Sequence, residues 1–438
     1  MTLLTRRRAL LGAASLLAAP SALISRAAKS AQSDWTLALA GDCIITKPLQ
    51  WGDLAFEELV KKIAAADLAI ANCEIVLSDR ADLEAGLKGR DINLVAPARG
   101  AAELKRIGFN VVSLANNHAL DYGVGGLKDT MRALAQHGLV SAGAGADLSE
   151  ASHARSVGGV SLIACATTYP DWSAASPSGP FGLSRSGINP IALSTRYNLE
   201  AAKFEAMRVA LSSLDLQPDS NGAFELGGRK FSMGPTGTLI EPAPDDTDRI
   251  VREIVNAKAA LSLPVLYIHD HSDHQPGGWL QRFARHCIDK GCVCVFVSGS
   301  HRLAGLEIYQ KRPIFYGLGN FLFQFESIST LPPEVFKSYG LDPDETAVSD
   351  VTEIMLSLFE APPYWKGVVP IVAVAPGRTS VQLIPIDLQQ HGSPATRGSP
   401  VLATGSEAQA VFGSMAELSN AFGQLPSALF RGEPVIFN

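Results

Sequence analysis

Short apolar runs alternate with amphipathic stretches along most of this chain, and this alternation constrains the fold more than any other feature. Residues 35–40, 68–71 and 111–114 are short apolar runs that predict strands, and residues 56–66 and 98–107 have the spacing of amphipathic helices. Short strands that alternate with helices form a buried sheet that helices cover. The alternation therefore predicts an α/β fold.

The same alternation returns in a second block, after an irregular segment. Helices are predicted at 246–261 and 279–289, and strands at 265–268 and 293–297. Between the two blocks, residues 169–243 are rich in Pro, Ser and Gly, which predicts an inserted lobe or lid.

The pattern changes again after residue 330. Strands are predicted at 351–359, 368–374 and 380–386, and a helix is predicted at 406–422. We therefore expect a main domain at 34–330 and a β-rich C-terminal segment, 331–438, that packs on it.

The first 33 residues have the pattern of an export signal. Arg6, Arg7 and Arg8 precede a continuous apolar run at 9–24, and small residues follow this run. The adjacent arginines resemble a twin-arginine signal. We therefore expect residues 1–33 to be a signal peptide and the protein to act in the periplasm or cell envelope. An uncleaved amphipathic anchor is the alternative.

The charge balance disfavours a nucleic-acid partner. Residues 1–33 carry five basic and no acidic side chains, so their removal shifts the formal net charge from −6 to −11. An acidic protein without a basic stripe lacks the electrostatic surface that nucleic acids bind.

Polar side chains follow the predicted strands, at the edge where ligands collect in open α/β sheets. They are Asp42 after the first strand, Asn72 and Glu74 after the second, Asn116, Asn117 and His118 after the third, and His269, Asp270, His271, Asp273, His274 and His301 after two later strands. Carboxylate and amide oxygens with imidazole nitrogens suit a divalent ion such as Mn, Fe or Zn, and no thiolate is needed. Each element alone has an ordinary explanation, such as a helix cap, a turn or a solvated loop. Their succession along the chain predicts a metal site.

Several segments of the chain together resemble one known family. They are GDCIITK, ANCE, SLANNHALDYG, the strand that ends at His269, SGSH and IFYGLGNFLF. In this order they resemble the motifs of the CapA family, which is named for poly-gamma-glutamate capsule synthesis and in turn resembles calcineurin-like metallophosphoesterases. The resemblance covers residues 35–325. It implies the layered metallophosphoesterase fold, an α/β fold of sheets flanked by helices, with an inserted lobe.

The resemblance also implies a role for individual residues. The implied metal ligands are Asp42 for a first ion, Glu74 as a carboxylate shared by two ions, and Asn117, His269 and His301 for the second ion. His118 would be the general acid, and Asp121 or Asp273 would orient an imidazole. A bound ion lowers the pKa of a water molecule to give a nucleophile, so this set implies a phosphoesterase-like hydrolase.

Two departures from the metallophosphoesterase pattern weaken the first site. Ile44 and Leu303 stand where those enzymes usually have histidines, and CapA proteins also commonly lack the first of them. The first site then keeps only Asp42 and the shared Glu74. We therefore expect one well-held ion rather than two. Its expected ligands are Glu74, Asn117, His269 and His301, unless His271 or His274 replaces one of them.

Other polar residues near these motifs are candidates for supporting the ligands or contacting a substrate. They are Lys47, Asn72, Asn116, His271, Asp273, His274 and Asn320. Lys47 stands where the family often has Arg and would meet an anionic substrate, although a surface lysine is the ordinary alternative.

Three functions are compatible with these residues. The first is an exported metal-dependent hydrolase that acts on a phosphoester or an amide in the cell envelope. The second is a non-catalytic metal-binding component that assists the assembly or export of an anionic envelope polymer, alongside capsule-synthesis membrane proteins. The third is a substrate-binding protein whose strand ends contact a solute directly, without a metal.

Overall fold

A computed structural model describes residues 34–86, 92–179, 181–214, 216–220, 222–226, 229–272 and 277–438. The signal peptide predicted at 1–33 lies outside the described residues. Two candidate site residues, Asp273 and His274, also lie outside them.

The described strands follow one another along the whole chain. In chain order they are β1 (Trp35–Ile44), β2 (Leu68–Cys73), β3 (Val76–Leu77), β4 (Val95–Ala96), β5 (Val111–Ser113), β6 (Val140–Ala142), β7 (Ala144–Gly145), β8 (Arg155–Val157), β9 (Val160–Ala166), β10 (Gly187–Ile188), β11 (Leu193–Leu199), β12 (Phe224–Leu226), β13 (Arg229–Met233), β14 (Gly237–Pro242), β15 (Leu263–Asp270), β16 (Cys294–Gly299), β17 (Leu306–Tyr309), β18 (Arg312–Phe315), β19 (Asn320–Phe323), β20 (Lys366–Ala375), β21 (Arg378–Asp387), β22 (Val401–Leu402) and β23 (Val435–Phe437).

The described helices lie between these strands. In chain order they are α1 (Leu54–Ala64), α2 (Gly100–Ile107), α3 (Gly123–Gln136), α4 (Leu148–Ser152), α5 (Ala201–Ser212), α6 (Pro244–Ala259), α7 (Trp279–Lys290), α8 (Pro333–Ser338), α9 (Val348–Ser357) and α10 (Gly405–Ser419), with 3₁₀ turns at Asp171–Ser173, Phe325–Ser327, Pro362–Trp365 and Leu429–Arg431. In this part of the chain, none of them has both the length and the apolar character that crossing a membrane requires.

Local sequence sets several helix ends. Asp53 caps α1, because its Oδ1 accepts hydrogen bonds from the backbone N of Ala55 and Phe56 at 2.9 and 3.0 Å. Gly108 and Gly291 end α2 and α7 with φ values of 117° and 119°, a conformation that glycine adopts without strain.

The first sheet combines parallel and antiparallel strands. Its order is β22, β21, β20, β1, β2, β5 and β6, and β19 also pairs with β1. The strands β2, β5, β6 and β19 run parallel within this part of the sheet, whereas β20, β21 and β22 join as an antiparallel extension. In the second sheet the order is β17, β18, β16, β15, β9 and β8, and its central strands are parallel.

The two sheets share one hydrophobic core. On β15, Val265 and Tyr267 belong to the core that β1 and β2 also enter, whereas Leu266 and Ile268 belong to a second core with α6 and α7. This alternation is what a strand buried on both faces requires. Helices α1, α2 and α3 add apolar side chains to the first core. The predicted α/β class, with sheets flanked by helices, is confirmed.

Part of the insertion predicted at 169–243 forms a small sheet of its own. Its strands pair in the order β12, β13, β11 and β14. Phe204 and Leu211 of α5 pack with Phe224 of β12 in a small separate cluster.

The strand predicted at 351–359 is wrong, because α9 occupies most of this segment. Val351 and Met355 are buried one helical turn apart, which is the spacing of an amphipathic helix. Because the segment has a high apolar content, its helical spacing of buried residues could not be recognised in the sequence. The strands predicted at 368–374 and 380–386 correspond to β20 and β21, which extend the first sheet from β1.

Candidate functional site

Strand register brings polar residues into rows at the carboxyl edges of both sheets. Asp42 on β1 lies opposite Asn72 on β2 and opposite Asn320 on β19. In the second sheet, His269 on β15 lies opposite Ser298 on β16. The two rows meet, because Ser298 donates a hydrogen bond to Asp42. The candidate site therefore lies where the carboxyl edges of the two sheets converge.

Asp42 is a fully buried side chain that its surroundings keep ionised. Its Oδ1 accepts hydrogen bonds from Ser298 Oγ and from Asn72 Nδ2, the latter at 2.8 Å, and His301 Nδ1 lies 3.4 Å from Oδ2. Burial alone would raise the pKa of Asp42, but hydrogen bonding and charge from His301, with His269 and Ser298, lower it below its usual value. Asp42 is therefore an anionic oxygen donor.

Glu74 directly follows β2 and is shared by two sets of potential metal ligands. Asp42, Glu74 and His301 form one set, which we call the Asp42 group, and Glu74, His269 and His271 form the other, the His271 group. Within each group, one ligand atom from each residue lies within 4.8 Å of the others. Glu74 Oε1 is 3.5 Å from His269 Nε2 and 4.0 Å from His301 Nε2. These distances fit an ion between the side chains, because metal–ligand bonds are about 2.0–2.3 Å long.

A chain of buried hydrogen bonds fixes the tautomer of His269. Ionised Asp42 can only accept, so Ser298 Oγ donates to Asp42 Oδ1. Tyr267 Oη therefore donates to Ser298 Oγ, at 2.8 Å, and accepts from His269 Nδ1, at 3.1 Å. Asn72 Nδ2 is farther from His269 Nδ1, at 3.4 Å, and already donates to Asp42. The proton of His269 thus lies on Nδ1, and Nε2 carries a lone pair.

The lone pair of His269 Nε2 faces other atoms that bind cations. Asn117 Oδ1 lies 2.9 Å from it and His271 Nε2 lies 3.0 Å from it. Together with Glu74, these oxygen and imidazole donors suit Mn, Fe or Zn. Burial lowers the pKa of His269 well below its usual value, and desolvation with the neighbouring His301 lowers the pKa of His271 to about 3. Both rings are therefore neutral at neutral pH, as metal coordination requires.

His301 lies beside both carboxylates of the candidate site. The sequence predicted Glu74, Asn117, His269 and His301 around one ion, with His271 or His274 as a replacement. In the structure His301 groups with Asp42 and Glu74, and His271 groups with Glu74 and His269. The backbone of His301 is in the left-handed region, with a φ of 58°. This conformation costs a non-glycine residue about 1–2 kcal/mol, and it accompanies the placement of the ring beside Asp42.

Two cysteines beside the site are protonated thiols. Cys43 and Cys73 adjoin Asp42 and Glu74 in sequence and are buried and free of disulfides. Burial raises the pKa of Cys73 to about 12 and raises the pKa of Cys43 well above its usual value. The donor set therefore consists of oxygen and nitrogen atoms.

His118 and Asp121 form a buried pair next to these groups. His118 Nδ1 lies 2.6 Å from Asp121 Oδ2, which also accepts a hydrogen bond from Leu94 N at 2.6 Å. An ionised carboxylate only accepts, so Nδ1 donates and Nε2 is the ring nitrogen that can exchange a proton with a substrate. Asn116 Oδ1 accepts from the backbone N of His118 at 3.0 Å and supports this turn.

Two more candidate residues orient the ligands. Asn116 Nδ2 donates to Asn72 Oδ1 at 3.0 Å, which fixes the amide orientation that lets Asn72 donate to Asp42. Asn320 Oδ1 lies 2.8 Å from His301 Nδ1. Asn320 thus holds His301 through its second ring nitrogen, and Asn116 supports Asp42 indirectly through Asn72.

Lys47 is engaged in an ion pair. Its Nζ lies 3.2 Å from Glu326 Oε1, and Glu326 Oε2 accepts from Arg397 at 3.0 Å. Contact between Lys47 and an anionic substrate stays a prediction, and it requires this pair to open.

A cavity of about 450 Å³ opens onto the site. We call the site residues the polar floor: Asp42, Glu74, Asn117, His118, His269, His271 and His301. Asn117, His118, His271 and His301 also line the cavity. Much of the remaining lining is apolar, and we call it the apolar wall: Phe323, Tyr339, Met355, Leu358, Phe359 and Tyr364.

Comparison with protein families places most of the chain in one family. Residues 36–325 match the family described as "Bacterial capsule synthesis protein PGA_cap". The chain belongs to the PGA_cap family. All residues of the polar floor lie within the matched part of the chain.

The alignments of this PGA_cap protein with its relatives cover most of its length. The chain is 29% identical over 420 residues to the uncharacterized protein y4sH of Sinorhizobium fredii, covering 89% of this chain and 90% of that protein. It is 25% identical over 276 residues to the PGA biosynthesis protein CapA of Bacillus subtilis, covering 63% and 57%. It is 23% identical over 333 residues to the capsule biosynthesis protein CapA of Bacillus anthracis, covering 73% and 67%. The predicted resemblance to the CapA family is confirmed.

Sequence reasoning missed two residues that hydrogen-bond the candidate site of this PGA_cap protein, Tyr267 and Ser298. Tyr267 and His269 are two residues apart on a strand, so the alternation of side chains places them on one face. Ser298 begins the SGSH motif that contains His301. The apolar wall was also missed, because most of it follows residue 325, where the family match ends.

Proposed function

We propose that this protein is an exported, metal-dependent hydrolase that acts in bacterial capsule synthesis. One observation carries the proposal: two groups of ligands share Glu74 beside the buried pair of His118 and Asp121. A metal-dependent hydrolase needs ligands for at least one ion and a group that protonates the leaving atom. Family membership and the two relatives named for capsule or PGA biosynthesis support the biological setting.

The His271 group is the better candidate for one well-held ion. With Asn117 it supplies a carboxylate oxygen, an amide oxygen and two imidazole nitrogens. In the Asp42 group, both oxygens of Asp42 already accept hydrogen bonds, so we propose that a second ion is held more weakly there. The donor types favour Mn, Fe or Zn. A bound ion would supply Lewis acidity and a water molecule with a lowered pKa.

His118 is the proposed general acid, and Asp121 is a positioning residue. His118 lines the cavity, and Asp121 holds its Nδ1–H, so a proton is transferred through Nε2. The charge of Asp121 stabilises the protonated imidazole, which is the form that gives a proton to a leaving oxygen.

The proposed substrate is a phosphoester or an anionic envelope polymer. A second cavity of about 460 Å³ shares Ser300 and Arg302 with the first and is also lined by Lys366. Arg302 and Lys366 are cationic side chains along this path, which favours an anionic ligand. Lys366 pairs with Glu407 at 2.8 Å, and this pair has to open for Lys366 to contact the ligand. Membrane proteins of capsule synthesis are the proposed partners.

The protein is proposed to act in the periplasm or cell envelope, because residues 1–33 have the pattern of an export signal. Fractionation of cells that express the full chain tests this location. Recovery of the protein with its first 33 residues in the cytoplasm would contradict it.

A turnover assay tests the proposed activity. The purified protein is stripped with a chelator, reloaded with Mn²⁺, Fe²⁺ or Zn²⁺, and assayed on a chromogenic phosphodiester. We expect turnover that is lost with the ion and restored by reloading. A protein that retains its ion but turns over no phosphoester or amide would reject the hydrolase.

Ile44 and Leu303 favour a second candidate, a non-catalytic metal-binding component that assists the assembly or export of an anionic envelope polymer. They stand where related phosphoesterases usually have histidines. Metal retention with polymer binding but without turnover would support this candidate. A protein that binds a solute without any metal would support the third function, direct solute binding.

A further inference from the structure

The apolar wall begins in contact with the polar floor. The ring centroids of His301 and Phe359 are 6.0 Å apart in an edge-to-face arrangement. Phe359 also packs edge to face on Phe323 and Tyr364, with centroid distances of 5.3 and 5.1 Å. A group that binds at the polar floor therefore has aromatic rings as immediate neighbours on the side of His301.

Part of this wall is exposed although it is apolar. Leu358 is 62% exposed. Tyr339 and Phe359 are also partly exposed, and all three side chains line the cavity next to the floor. An exposed apolar patch beside a few convergent polar groups is typical of a ligand-binding surface.

We propose that the substrate carries an apolar group, an aryl or branched alkyl group, next to the anionic group that reacts at the polar floor. This inference rests on the proposed function and narrows its substrate class. An apolar group gains free energy by leaving water for the wall. An uninterrupted polyanion would instead place charged groups against the wall, where they lose hydration without gaining partners.

The rest of an anionic substrate has a separate path. Arg302 lines both cavities, and its guanidinium carbon lies 5.8 Å from the centre of the Tyr364 ring. From there the second cavity continues to Lys366. A substrate with an apolar group at the wall and further anionic groups beyond Arg302 fits both cavities.

Two phosphonates test this inference without requiring turnover. Methylphosphonate and phenylphosphonate present the same headgroup, and the comparison is made where both are dianions. Binding of each to the Mn²⁺-loaded protein is measured by calorimetry. We expect phenylphosphonate to bind at least about 10-fold more tightly, because its ring leaves water for the wall.

Variants assign this preference to the wall. Leu358→Ser should reduce the preference for phenylphosphonate several-fold and leave methylphosphonate affinity unchanged, whereas Leu358→Phe should retain the preference. The matched control is Leu214→Ser, because Leu214 is similarly exposed, at 67%, and lies outside both cavity linings. This control should behave as the wild type.

The outcomes separate this inference from the proposed function. Equal affinity for the two phosphonates in a metal-loaded protein would overturn the apolar substrate and leave the metal site intact. A preference that survives unchanged in Leu358→Ser, or that falls as much in Leu214→Ser as in Leu358→Ser, would also overturn it. A chain that retains no ion would overturn the proposed function and this inference with it.

Discussion

The polar floor and the apolar wall differ in how they are built. The floor lies at the ends of buried parallel strands, and its carboxylates and His269 are fully buried. The wall comes mostly from 339–364, a segment of helices and turns beyond the part that matches the PGA_cap family. Sheet register and hydrogen bonds therefore place the floor, whereas the wall is an added surface that is partly exposed.

This difference assigns separate tasks to the two regions. A change in the floor should alter metal binding or proton transfer for every substrate. A change in the wall should alter only which substrate is preferred. The following predictions test this separation, beginning with the largest expected effect.

Glu74→Gln should have the largest effect, because both ligand groups lose their shared charge. We expect metal affinity to fall by more than about 100-fold, beyond the usual effect of a supporting residue, and turnover to fall with it. Metal content after dialysis measures this change. The control is Glu307→Gln, since Glu307 is also buried but is hydrogen-bonded to Tyr316 and Arg285, which are not residues of the floor. Full metal content in Glu74→Gln would contradict the assignment of Glu74 as the shared metal ligand.

His118→Ala should retain the ion and lose turnover by about 10²–10⁴-fold, because it removes the proposed proton donor. Metal content and the rate on a chromogenic phosphodiester are measured together. His153→Ala is the matched control, since His153 pairs with Glu253 on the surface. If His118→Ala keeps the wild-type rate, His118 is not the general acid.

Tyr267→Phe should weaken metal binding by about 10–100-fold, because the hydroxyl that holds His269 Nδ1–H is lost. A titration with Mn²⁺ measures the affinity. Tyr316→Phe removes another buried hydroxyl, one that bonds Glu307, and should leave metal affinity unchanged. Equal affinities in the two variants would show that the hydrogen-bond chain does not support the ligand.

Low pH should destabilise the metal-free protein, because two histidines of the polar floor bind protons more weakly in the folded state than in the unfolded chain. The pKa values of His269 and His271 are lowered from 6.5 in the folded state, so the unfolded chain binds more protons below that pH. The free energy of unfolding should then fall by up to about 1.4 kcal/mol per pH unit for the buried His269 as the pH drops below about 6, and by less for His271, because that side chain is partly exposed to solvent. Denaturant unfolding at several pH values measures the slope.

Variants of the two regions should differ in this slope. His271→Gln should remove the contribution of one histidine, whereas Leu358→Ser in the wall should leave the slope unchanged. A slope that is the same in His271→Gln and in the wild type would contradict the lowered pKa of His271.

The sequence predicted most of the polar floor because strand ends have a recognisable pattern. Asp42, Glu74 and His269 each follow an apolar run that is a strand in the structure, and parallel strands bring such ends together. The neighbouring positions of Asp42 and Glu74 follow from register within one parallel sheet, whereas His269 lies on the second sheet and reaches them only through the packing of the two sheets. The division into two groups does not follow from register, because it depends on local backbone conformations such as the positive φ of His301.

The wall could not be predicted in the same way. The prediction of a strand at 351–359 would have placed alternate side chains on opposite faces, whereas α9 brings Met355 into the cavity lining and leaves Leu358 and Phe359 just beyond its end. Packing of these side chains near His301 depends on long-range contacts that local periodicity does not encode. Periodicity identifies an element and its buried face, but it does not identify the partner of that face.

The anomalous diffraction of crystals soaked in Mn²⁺ tests the central claim most directly. We predict a peak about 2.0–2.3 Å from donor atoms of Glu74, Asn117, His269 and His271. A weaker second peak is expected between Glu74, Asp42 and His301. Crystals that show no peak beside Glu74, or a strong peak only elsewhere on the protein, would contradict the account.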